Sequence, residues 1–143
     1  MWILFAFGAS LFWGMSYVLS EEIYKQISVF TSLSIMSFAV FILTLIVTCI
    51  TGDLKPDLIE IVYSKRLMWY VLGGIMALFA AELFIGFSIT SKNATLAGLI
   101  EISYPIFIAI FGYILFKNSV TTGTIIGSII IFTGVFVIYY ANY

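Results

Sequence analysis

Five uninterrupted apolar stretches, each close to the length of a bilayer-spanning helix, divide the chain and leave little between them. A helix rises 1.5 Å per residue, so crossing ~30 Å of hydrocarbon takes about 20 mostly apolar residues. The stretches run over about 2–19, 29–50, 67–89, 95–116 and 122–140. The first and last are slightly short, a mismatch that tilt or local thinning of the bilayer absorbs at small cost. Composition closes off a soluble alternative. Of 143 residues, 63% are hydrophobic and 9% charged, against roughly a quarter charged in an ordinary soluble domain. A soluble fold of this size buries only about 70% of the surface its unfolded chain exposes. The expected fold is an all-α membrane protein with five transmembrane helices, one domain over residues 1–143, with the lipid bilayer as its first partner. The first apolar stretch begins without a basic region and outruns a cleavable signal's apolar core, so no leader is expected to be removed.

Several function classes fall away. Net charge is −1 and the basic residues are scattered, which provides no face for nucleic acid. There is no His, and Cys49 is the single cysteine, so zinc sites, disulfides and Cys–His catalysis have no ligands or partners within one chain. No phosphate-cradling loop or dinucleotide fingerprint occurs. No cofactor, metal or enzymatic activity is expected.

Eleven of the thirteen charged residues lie in four connectors. Ser20–Ser28 carries Glu21, Glu22 and Lys25. Thr51–Arg66 opens on the helix stop Thr51-Gly52-Asp53 and continues through Pro56 into Asp57–Tyr63. That stretch reads equally as a short amphipathic surface helix or as a solvated loop with one helical turn. Thr90–Asn93 is a tight hairpin, and Lys117–Val120 joins the last two spans. Aromatic residues near the ends of spans, namely Trp2, Tyr24, Trp69, Tyr70, Tyr139, Tyr140 and Tyr143, suit the headgroup level, where a ring is half buried and its polar atom meets water. Ser28, Thr31, Ser32, Ser34 and Ser37, at the start of the second span, read as interhelical packing.

The two remaining charges, Glu82 and Glu101, sit inside spans. A carboxylate at mid-helix costs ~2.5–3.5 kcal/mol even on a lenient insertion scale, so such residues face a polar interior and serve function. Each lies about nine residues from the hairpin, hence at a matching depth of ~13 Å on neighbouring helices. At 100° per residue, Ala94, Ala97, Pro105, Ile108 and Gly112 share the Glu101 stripe, and small residues let another helix come close. Ile75, Leu78, Gly86 and Ile89 surround Glu82. Apolar surroundings disfavour a charged carboxyl, which suits a proton exchanged for a cation. The alternative is structural: protonated carboxyls bonded to Ser, Thr or Trp of adjacent helices. Pro105 predicts a kink that frees the carbonyl of Glu101. Trp13, two thirds along the first span beside Gly14, stands apart from the anchoring aromatics.

Gly8-Ala9-Ser10-Leu11-Phe12-Trp13-Gly14-Met15-Ser16-Tyr17 resembles the opening of EamA-like proteins of the drug/metabolite transporter superfamily. The stretch Thr90-Ser91-Lys92-Asn93-Ala94-Thr95-Leu96-Ala97-Gly98-Leu99-Ile100, then Tyr104-Pro105-Ile106-Phe107, Gly127 and Gly134, is similar in the same order. The family's acidic residue thirteen positions after the proline is here Asn118, and its arginine in the second helix is replaced by Ser34 or Ser37. The resemblance implies one half-repeat of a drug/metabolite transporter fold, built from two inverted five-helix repeats with the substrate site between them. Glu82, Glu101, Trp13 and Tyr104 are then the candidate substrate- and proton-binding residues. The expected function is a transporter subunit for a small solute or metabolite, driven by protons. A non-transport accessory or lipid-handling membrane protein is the alternative.

A single half leaves its inner face open, which implies a homodimer, parallel or antiparallel. The stripe Gly123, Gly127 and Gly134 in the last span provides a close-packing surface for it. Lys55, Lys65, Arg66 and Lys117 lie on one side of five spans and Lys25 and Lys92 on the other. The excess of basic residues marks the cytoplasm, which puts the N-terminus there and the C-terminus outside the cell (inner) membrane.

Overall fold

The protein, a computed structural model describing residues 1–142, is helical throughout its regular elements. These are α1 (Trp2–Tyr24), α2 (Val29–Thr51), α3 (Leu54–Tyr63), α4 (Lys65–Ser91), α5 (Ala94–Glu101), α6 (Tyr104–Phe116) and α7 (Thr122–Ala141). Among the described residues, five segments are long and apolar enough to cross a membrane: α1, α2, α4, the stretch Ala94–Phe116 and α7. Tyr143, read above as an interfacial anchor, lies outside the described residues. The chain forms two compact units, one of Met1–Glu21 with the stretch from Ser88 onward, the other Glu22–Phe87.

Helix ends follow local chemistry more than apolarity. α1 runs five residues past the sequence expectation, through Ser20–Tyr24. Glu21 and Glu22 are good helix formers, and their charge does not end a helix that is leaving the hydrocarbon. Lys25 returns to Glu22 at 2.6 Å. α2 starts on a Ser28 cap whose Oγ accepts the Thr31 N–H at 3.2 Å. It stops at Gly52, whose φ of 79° is the left-handed conformation that glycine adopts without penalty. α7 is capped by Thr121 in the same way as α2. The second connector settles as a helix from Leu54, with Pro56 in the first turn, where its missing N–H costs nothing.

The fourth span, Ala94–Phe116, is not regular α-helix throughout. It breaks at Ile102–Ser103, between α5 and α6. Hydroxyl groups inside the spans mostly serve their own helix: Ser34 donates to the Phe30 carbonyl (2.8 Å), Thr44 to Val40 (2.9 Å) and Thr133 to Ile129 (2.8 Å). This corrects the packing reading for much of the Ser/Thr cluster in α2. Ser28 and Thr31 form a cap, Ser34 bonds its own backbone, Ser37 is exposed, and Ser32 is the buried member. In the first unit, α5 and α6 both pack on α7; in the second, α2 packs on α3.

Candidate functional site

In the first unit, α1 and α5 meet along a seam where Tyr17 and Glu21 of α1 reach Ala94, Gly98 and Glu101 of α5. Ala94 and Ala97 on α5 and Ser20 on α1 are buried. Gly98 makes the closest approach possible. A Cβ built on it would lie 3.3 Å from Tyr17 Cδ2 and 3.6 Å from Cε2, so the missing side chain is the space the Tyr17 ring occupies.

Each helix sends a polar group across the seam. The Tyr17 hydroxyl donates to Glu101 Oε2 at 2.5 Å. One turn further along α1, Glu21 Oε2 accepts the backbone N–H of Ala94 at 2.6 Å. That N–H is one of the donors a helix start leaves without an intrahelical acceptor. Asn93 takes the Leu96 N–H at 2.8 Å, so side chains hold two of the donors at the start of α5. Trp13, four residues before Tyr17 and on the same face, packs its ring 5.7 Å from the Tyr17 ring at 52°.

Glu101 is the last residue of α5, where the span breaks. Ile102 (φ −56°, ψ −8°) and Ser103 (φ −70°, ψ −13°) form tight turns. The Ser103 N–H reaches Ile100 O at 3.2 Å and the Ile106 N–H reaches Ser103 O at 3.1 Å. Pro105 has no N–H to offer the Glu101 carbonyl four residues back. The irregularity thus lies just ahead of Pro105, where Ile102 and Ser103 stay right-handed but tighten the helix. It gathers a carboxyl, a phenol and a main-chain acceptor in one place, a set that can bind a proton or a cationic group.

The other residues named from sequence are distributed. Tyr104 opens α6 with its side chain 55% exposed, and Trp13 is 49% exposed. Glu82 is half-buried in α4 and belongs to the second unit. Along α7, a Cβ on Gly127 or Gly134 would meet no described atom within 4 Å, and one on Gly123 only Thr121 of its own helix start. Tyr17 and Glu21 were not singled out from sequence. Tyr17 carried a signal: it lies one turn from Trp13, at the end of the Gly8–Tyr17 motif of the first span.

A family model for the EamA-like transporter family matches residues 1–140, nearly the whole chain. The chain belongs to the EamA-like transporter family. No curated protein and no solved structure gives a significant match. Members of this family are membrane transporters rather than enzymes, and the chain is a multi-pass membrane protein of that fold.

Proposed function

We propose that the protein is one five-helix half of a pathway that moves a small solute or metabolite across the cell membrane in exchange for protons, with Glu101 as the proton- or substrate-binding carboxyl. The observation that carries this reading is the Tyr17–Glu101 hydrogen bond at an interrupted span. A carboxyl within a span is costly unless it does work there. Broken spans are where transporters expose main-chain groups to what they carry. Trp13, Tyr104 and Glu82 are the further binding residues of this reading. The working unit is a homodimer whose second copy covers the inner face, with one copy inverted. The four-to-two distribution of basic residues supports an N-terminus in the cytoplasm.

The test is uptake into proteoliposomes containing this chain alone, from pools of labelled amino acids, amines and other metabolites at several pH values. Glu101→Gln keeps an acceptor for Tyr17 and removes the titrating group, so uptake is expected to lose its pH dependence while the protein still folds. Unchanged uptake in Glu101→Gln and in Glu82→Gln makes both carboxyls structural. No uptake from any pool returns the chain to an accessory role. For assembly, a single cysteine in the Thr90–Asn93 hairpin, with Cys49 removed, should label from both sides of intact cells. Labelling from one side only, without a crosslinked dimer, rules out the inverted pair.

A further inference from the structure

The second unit holds a surface that the transport reading does not use. α3 joins two spanning helices, starting just past the Gly52 stop of α2 and ending one residue before α4. It is thus held at the level where α2 leaves the membrane and α4 enters it. None of its residues is buried, and Leu58, Ile59 and Val62 are 52%, 49% and 71% exposed. At 100° per residue, Leu54, Leu58, Ile61 and Val62 fall within an arc of about 100°. Lys55 stands at one margin of that arc, Asp57 beyond the other, and Glu60 opposite. A helix so patterned lies in the interface with its apolar face toward acyl chains and its acids toward water.

Between this face and the last turn of α2 runs a groove of about 450 Å³, lined by Thr48, Cys49, Gly52, Leu54, Lys55, Leu58 and Ile59. Its walls are mainly apolar. Lys55 is the one charged residue in its lining, and it makes no ion pair among the described residues. A lysine stem runs along apolar surface while its ammonium reaches for the headgroup level. An apolar trough with an unpaired lysine in its lining is complementary to a lipid with apolar chains and an uncompensated phosphate. A zwitterionic headgroup brings its own ammonium to the phosphate; an anionic one does not.

We propose that the groove between the end of α2 and α3 binds an anionic membrane phospholipid, with an acyl chain along Leu54, Leu58 and Ile59 and the headgroup phosphate on Lys55. The site ties the α2–α4 connector to the membrane surface and makes it sensitive to lipid charge.

Cys49, exposed and the only cysteine, lines the groove and reports on it. The experiment measures the rate of Cys49 alkylation by an uncharged maleimide in nanodiscs of phosphatidylcholine, with phosphatidylglycerol substituted in steps. The expected result is a rate that falls about fivefold as phosphatidylglycerol is added, the scale of one basic residue's attraction to an anionic surface. Lys55→Gln should abolish that dependence, Lys55→Arg should retain it, and Lys92→Gln, in another connector, should leave it intact. Equal rates in both lipids for the unaltered protein overturn the proposal, as does a lipid dependence that survives Lys55→Gln. If inorganic phosphate slows alkylation as strongly in pure phosphatidylcholine discs, the groove is a free-anion site and the lipid assignment is wrong. Protection that follows protein density and ignores lipid charge means that a second copy covers the groove, and also overturns it. The titration on the unaltered protein decides the matter even if a variant fails to fold.

Discussion

If the Tyr17–Glu101 hydrogen bond is what makes a carboxyl tolerable in the fourth span, the two residues must be energetically coupled, and a double-mutant cycle will show it. Tyr17→Phe removes one oxygen and leaves the ring against Gly98 and Trp13 in place. It strips Glu101 of its donor. Interhelical hydrogen bonds measured in membrane proteins average ~0.6 kcal/mol and reach ~1.7. A phenol bonded to a carboxyl oxygen between two spanning helices belongs near the upper end, because a hydrogen bond is stronger where water does not compete for its partners. Tyr17→Phe should therefore cost ~1.5 kcal/mol, close to a tenfold change in the folded-to-unfolded ratio. Glu101→Leu takes the carboxyl away and leaves the Tyr17 hydroxyl without that acceptor. The double variant has neither group, and replacing both partners of a hydrogen bond by apolar groups is near neutral. The effects should thus fail to add by ~1.5 kcal/mol, well outside the ~0.3–0.5 kcal/mol scatter of independent sites. The assay is reversible unfolding in mixed micelles, followed by helical circular dichroism. Tyr104→Phe, at an exposed tyrosine, serves as the control and should change stability by less than ~0.5 kcal/mol. A coupling energy below ~0.5 kcal/mol would refute the reasoning, since the bond would then contribute no more than unrelated surface positions do.

Gly86 meets Val29 and Tyr24 so closely that a Cβ there would lie 2.6 Å from Val29 Cγ1 and 3.4 Å from the Tyr24 hydroxyl oxygen. Gly86→Ala should destabilise the protein by ~1–3 kcal/mol in the same unfolding assay, whereas Gly127→Ala, facing open space, should be neutral or stabilising. Lys117 ends α6 in the left-handed conformation, at φ 57°, which costs an L-residue roughly 1–2 kcal/mol. Lys117→Gly should raise stability by ~0.5–1 kcal/mol, less than the full strain because the ammonium's contact with the Tyr113 ring at 5.6 Å is lost. Glu21→Ala should speed hydrogen exchange at the Ala94 amide and leave Leu96, held by Asn93, as protected as before.

The spans were legible because a bilayer imposes a length, and an apolar run of that length has few other uses. That ruler misjudges helix ends. It stopped the first helix at Leu19, where apolarity ends, although α1 continues through Glu21 and Glu22 to Tyr24. Helix limits are set by backbone chemistry: the stop at Gly52 was read, whereas Ser28, read as packing, and Asn93, read as a hairpin residue, turn out to be the caps that start α2 and α5. Pro105 announced the interruption of the fourth span. Its position at Ile102–Ser103 follows from the bond a proline denies to the residue four before it. The Tyr17–Glu101 pair spans 84 positions of sequence, and no local period encodes such a partnership. What the sequence held was half of each face: Trp13 and Tyr17 one turn apart, and Ala94, Ala97 and Glu101 on one stripe.

The small residues, the phenol and the proline act on the same problem. α5 has eight residues and is ~12 Å long, too short to cross ~30 Å of hydrocarbon. It carries Glu101 from the capped hairpin to roughly a third of the way through the bilayer and ends there. An ionisable group at that depth needs a donor close by, and a donor on α1 can come close only if α5 presents nothing larger than alanine on the way. Gly98 meets that condition, and the Tyr17 ring fills the room left there. Pro105 then keeps the next turn from taking up the Glu101 carbonyl. The coincidence of a buried seam, a bonded carboxyl and an interrupted span at one depth is what favours Glu101 as a working group over a structural one.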